Sequence, residues 1–128
     1  MMYQLFLLCC GASIGVVLRD LIGRAVGQAF GSEFPLGTLI VNVLGSVLIG
    51  FFFVIFSSKE TYDAFWRPLL FVGALGGFTT FSTFSLETLQ LLEDGIFFKA
   101  GYSVLLNVGL CIGGCWIGSV TAKMILPS

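Results

Sequence analysis

The stretch Gly76 to Ser85, GGFTTFSTFS, places five hydroxyl side chains and three phenylalanines inside an apolar segment. Hydroxyls donate hydrogen bonds without carrying charge. An aromatic ring has a positive edge and a negative face, so two rings turned edge-on beside hydroxyls and an asparagine NH₂ form a weak anion binder. At 100° per residue Phe81 and Phe84 share one side of a helix, with Thr79, Ser82 and Ser85 on one edge and Thr80, Thr83 and Glu87 on the other. Stripping an anion of water in a low-dielectric medium costs on the order of tens of kcal/mol unless donors replace the water. Fast passage also requires that the replacement be shallow, which many weak donors with no lysine or arginine among them provide. The alternative, in which the rings are ordinary core, stands beside this reading.

Two glycines, Gly76 and Gly77, precede the hydroxyls and permit a broken helix whose freed carbonyls need partners. A hard cation such as Na⁺, enclosed by carbonyls of this chain and of a second subunit, is one such partner; neighbouring hydroxyls are the other. Polar residues also recur every four positions elsewhere, as Thr38, Asn42 and Ser46 and as Ser103, Asn107, Cys111, Cys115 and Ser119. Helix glue needs one or two such positions, whereas a stripe through the depth of a membrane suits a conduit. Cys111 and Cys115, like Cys9 and Cys10, read as small packing residues, with a disulfide or a metal pair as alternatives.

The elements that must hold these residues are membrane helices. Of the 128 residues, 57% are hydrophobic and 10% charged, and mean hydropathy is +1.04, outside the range of soluble domains. A span takes about 20 residues, so this length accommodates four. The segments run over about 3–26, 36–56, 66–92 and 97–126, one four-helix membrane domain over 1–128, all-α, with a glycine break in the third helix. Residues 1–8 carry no positive side chain, so the first segment is expected to be retained and not cleaved as a signal peptide. With no histidine and a net charge of −1, histidine-centred catalysis and metal sites and a basic face for nucleic acid are excluded, and an enzyme is not expected.

Charge also bears on orientation. Lys59, Arg67 and Lys123 fall on one side of a four-span topology and Arg19, Arg24 and Lys99 on the other, so the usual bias is absent. The chain is therefore expected to insert both ways and to pair antiparallel as a dual-topology homodimer about the glycine break. Four helices are too few to surround a conduit, and a dimer supplies eight.

GGFTTFSTFSLE, Gly76 to Glu87, closely resembles the third-helix signature of the fluoride channel family known as Fluc or CrcB. PLGTLIVNVLGSVLIG, Pro35 to Gly50, is similar to its second-helix signature, and GASIGVVLRD, Gly11 to Asp20, to its first-helix pattern. The resemblance implies two fluoride pores in an antiparallel homodimer of the bacterial plasma membrane, with a structural Na⁺ at the interface. By position, Asn42, Phe81 and Phe84 match the family's pore asparagine and phenylalanines, and Ser82 and Thr83 the adjoining hydroxyls. Tyr102 and Asn107 lie where its fourth helix lines the pore. Gly76 and Thr79 match its Na⁺-binding carbonyls, and Arg19 and Glu87 its vestibule or outer positions. Cys111 and Cys115 depart from the hydroxyls that the resemblance implies, and Asp20 stands where an aromatic residue is common.

The reading is thus a passive fluoride channel that exports the ion and relieves its toxicity, with fluoride, the bilayer and a second copy as partners. A four-helix proton-coupled drug exporter is the runner-up, but it needs a carboxylate within its first helix, and residues 3–18 contain none. A scaffold subunit would use the glycine pairs at four-residue spacing (Gly11/Gly15, Gly23/Gly27, Gly73/Gly77, Gly109/Gly113 and Gly114/Gly118) for helix packing and leave the polar tracks unexplained.

Overall fold

The computed structural model describes residues 1–126. It is all-helical, with four helices or helix assemblies long and apolar enough to cross a membrane. The first, α1 (Met2–Phe30), continues past the expected end at 26. Its charges do not stop it, because Asp20 and Arg24 pair across one exposed turn at 2.8 Å. It ends at Gly31, whose φ of 79° suits a residue without a Cβ. The second helix, α2 (Leu36–Phe56), has the expected bounds.

The third span, Tyr62–Glu93, is built from three pieces. The first, α3 (Tyr62–Leu75), is wound with the wide i→i+5 pattern and carries Pro68 in its interior. It begins ahead of the expected 66, with Tyr62 seated edge-on to Phe53 and Phe71 at centroid distances of 6.3 and 5.3 Å. A short turn, α4 (Gly76–Phe78), follows. The chain then extends through Thr79 (ψ 157°) and Thr80 (ψ 112°) before α5 (Phe81–Glu93). Backbone departure from the helix thus falls on the two threonines, while Gly76 itself holds helical angles (φ −64°, ψ −37°). The last helix is α6 (Phe97–Ile125). The sequence expectation for the chain's last two positions lies outside the described residues.

The helices pack as α1 on α3 and α4, and α2 on α6, with α5 crossing α6. The glycines show why the backbones come so close. A Cβ at Gly11 or Gly15 would overlap the carbonyl of Leu69 or Ala74, and one at Gly118 or Gly50 the carbonyl of Val47 or Cys115. Gly73 and Gly77 press on the α1 backbone at Leu8 and Ala12. The pairs Gly23/Gly27 and Gly109/Gly113, equally regular in sequence, meet nothing within 4 Å. Without a hydrophobic force between helices in lipid, such close backbone contact is a principal source of association. Outside these seams, Ile14 and Leu21 on α1 and Leu105, Ile112 and Trp116 on α6 are exposed, an apolar exterior suited to hydrocarbon.

Candidate ion pathway

The helix break would leave backbone groups unpaired at membrane depth, where each costs several kcal/mol. Side chains from other helices meet this need. Asn42 of α2 accepts the Thr80 N–H at its Oδ1 (2.7 Å) and donates from Nδ2 to the Thr80 carbonyl (3.1 Å). In an unbroken helix that N–H would serve the Gly76 carbonyl, four residues back. Asn42 Nδ2 also donates to Asn107 Oδ1 at 3.1 Å, and Asn107 Nδ2 donates to the Ser103 carbonyl at 2.9 Å. Asn42, Thr80, Ser103 and Asn107 are the buried polar residues of the described chain, and they are contiguous. Thr80 also starts α5: its Oγ1 accepts the Thr83 N–H at 3.2 Å, the ordinary N-cap bond.

Two cavities meet at Thr80. A groove of about 420 Å³ is lined by Asn42, Thr80, Phe81, Phe84 and Asn107, with Ser46, Gly76, Thr79 and Cys111 along it. Phe81 and Phe84 meet edge-to-face, centroids 5.3 Å apart. No lysine or arginine lines the groove. It is open on one side, where Phe81 is 75% exposed while Phe84 is 6% exposed. The second cavity, about 920 Å³, is a polar vestibule at the end of the bundle formed by the first and third loops, lined by Arg19, Asp20, Arg24, Thr38, Thr83 and Glu87 among others. Within it Thr38 Oγ1 donates to Glu87 Oε1 at 2.8 Å, and Glu87 Oε2 has no partner. At its edge Lys99 and Glu33 tie the first loop to α6, N to O 3.6 Å. Arg19 reaches inward, donating from Nη1 to the Thr79 carbonyl at 3.4 Å.

The residues singled out in the sequence sort accordingly. Asn42, Phe81, Phe84 and Asn107 come together on the groove with Gly76 and Thr79, and Arg19, Thr83 and Glu87 line the vestibule. Ser82 and Tyr102 line neither cavity; Tyr102 is 59% exposed. Thr80, which touches both cavities, and Thr38, the hydroxyl on Glu87, were not among the expected site residues. Thr38 has a sequence signal, since it lies four residues before Asn42 on one stripe. Thr80 stands among the motif's hydroxyls, but its bonds to α2 have no signal in the sequence.

The family model described as "CrcB-like protein, Camphor Resistance (CrcB)" matches residues 6–119. The chain belongs to the CrcB family. A relative from Coxiella burnetii (strain Dugway 5J108-111), "Fluoride-specific ion channel FluC", is 43% identical over 94% of this chain and 97% of its own length. One of the same name from Shewanella pealeana is 46% identical over 91% and 94%. A third, from Magnetococcus marinus, is 41% identical over 95% and 99%. Membership and the four apolar helices together make this a multi-pass membrane protein.

Proposed function

We propose that this protein is a fluoride-selective channel that lets fluoride leave the cytoplasm passively across the bacterial plasma membrane and so relieves its toxicity. The observation that carries the reading is the groove beside the helix break, where two phenylalanine rings and two asparagines converge with no basic side chain, in a chain whose relatives are named fluoride channels. Ring edges and amide hydrogens replace part of an anion's water without holding it tightly. The vestibule, lined by Arg19, Asp20, Arg24, Thr38 and Glu87, would supply a hydrated approach to Thr80.

The working unit in this proposal is an antiparallel, dual-topology homodimer. The open flank of the groove supports it, because an ion there would face hydrocarbon unless a second copy covered Phe81 and Ile112. A structural Na⁺ at the interface belongs to the same proposal. The Gly76 carbonyl, whose helical donor is turned to Asn42, fits a cation ligand; the Thr79 carbonyl is shared with Arg19. Two carbonyls from one chain fall short of the six or so oxygens a hard cation takes, so both copies would contribute and water would complete the set. The bound ion would neutralise the carbonyl dipoles at the break.

The test is fluoride tolerance. In a bacterial strain lacking its own fluoride exporter, expression of this chain should restore growth in millimolar-range fluoride at mildly acid pH. A chain that reaches the membrane in quantity without restoring growth would refute the proposal.

A further inference from the structure

We propose, resting on the channel reading above, that the two buried asparagines divide the work at the groove: Asn42 clasps the broken backbone, and Asn107 carries the free amide hydrogen that meets the anion. The inference comes from counting donors. Both Nδ2 hydrogens of Asn42 are committed, one to the Thr80 carbonyl and one to Asn107 Oδ1, each at 3.1 Å. The groove's hydroxyls are committed too. Ser46 donates to the Asn42 carbonyl at 2.7 Å, Thr79 to the Leu75 carbonyl at 3.1 Å, and Thr80 to Thr83 Oγ1 at 2.9 Å. The Thr80 N–H is held by Asn42.

Asn107 differs. An amide has two N–H donors, and one of those on Asn107 goes to the Ser103 carbonyl at 2.9 Å. The other has no acceptor among the described residues. Asn107 is 6% exposed and lines the groove with Phe81 and Phe84. The Cys111 thiol, one turn further along α6, is also uncommitted, but S–H is a weak donor. This copy thus offers an anion in the groove one strong free side-chain donor, and its position is set by Asn42 through Asn107 Oδ1. Asn42 is a positioning residue in this assignment: it holds the Thr80 backbone as a neighbouring strand would, and it orients the second amide.

The experiment compares the full chain with Asn107→Asp and Asn42→Ala, each purified, matched by gel filtration and reconstituted at equal density. Fluoride efflux is one readout. Hydrogen–deuterium exchange of a peptide containing Thr80, measured in detergent, is the other, with a peptide from the C-terminal half of α6 as reference. Asn107→Asp keeps the acceptor for Asn42 and removes both Nδ2 donors, the free one and the one on the Ser103 carbonyl, so efflux falls about tenfold or more while Thr80 exchange stays within roughly twofold. Asn42→Ala opens the clasp, so Thr80 exchange quickens about tenfold and the reference peptide does not change. Unimpaired efflux in Asn107→Asp, or unchanged Thr80 exchange in Asn42→Ala, overturns the assignment. If Asn107→Asp does not assemble, the double variant Asn42→Ala/Asn107→Ser decides the matter: with the Asn42 amide absent, efflux about tenfold below that of Asn42→Ala supports the donor role of Asn107, and efflux equal to that of Asn42→Ala overturns it. Absence of efflux from the unmodified chain would refute the channel reading and the donor role together. A Thr80 response would still identify the clasp.

Discussion

Phe84 lies in the wall of the groove with its neighbour Phe81 edge-on at 5.3 Å, and the two differ sharply in exposure. If the rings act through their positive edges, Phe84→Ile and Phe81→Ile, which keep bulk and remove the quadrupole, reduce fluoride flux by about tenfold while gel filtration shows the same assembly. Flux at the wild-type level in both variants would return the pair to simple packing. Much of this residue-scale picture was legible in advance. Asn42, Asn107, Phe81 and Phe84 were marked out by residue type and spacing, and the structure gathers them on one groove, with Phe81 at its open flank. Ser82 shows where the spacing and the groove of this chain part. Its place in the motif suggested a role beside the rings, but the helix restarts at Phe81 after two extended residues, and the turn carries Ser82 off the groove. Thr80 was named among the flanking hydroxyls but not among the site residues, because a hydrogen bond from another helix has no local signature.

At the scale of elements, helix–helix seams are set by glycines whose missing Cβ is a contact. Gly15→Ala would place a methyl on the Ala74 carbonyl and separate α1 from α3, a loss of about 1–3 kcal/mol by the usual cost of overpacking. Gly23→Ala meets nothing and removes a glycine from a helix interior, so it should be neutral or stabilise by a few tenths to about 1 kcal/mol. Thermal unfolding of the two variants in detergent separates them, and equal midpoints would contradict the seam assignment. Sequence spacing marks both sites alike and cannot separate them, since occupancy of the groove beside a glycine depends on the neighbouring helix. Helix bounds were recovered best where an uninterrupted apolar run meets polar turns, as in α2. They were missed by four residues at the end of α1 and at the start of α3, whose wide winding around Pro68 has no periodicity to announce it. The break shows the same limit. The glycines drew attention to the correct neighbourhood, but the threonines leave the helix because Asn42 supplies the bonds they give up.

For the whole molecule, three positive residues at each end and a groove open along one flank are the features to explain. The proposed homodimer of two opposite orientations would account for both. A reporter fused to the C-terminus should therefore be found on both sides of the membrane in comparable amounts, and two added lysines on either side should bias insertion and reduce activity. Co-expression of oppositely biased variants should restore it. A reporter confined to one side of the membrane would rule out dual topology. Selective anion passage is the central claim, and it is tested most directly with the purified, unmodified chain in liposomes loaded with fluoride, efflux being followed with a fluoride electrode and chloride-loaded vesicles serving as the control. The account predicts rapid release of fluoride and retention of chloride. Retention of fluoride by vesicles containing correctly assembled protein, or equal release of the two ions, would contradict it.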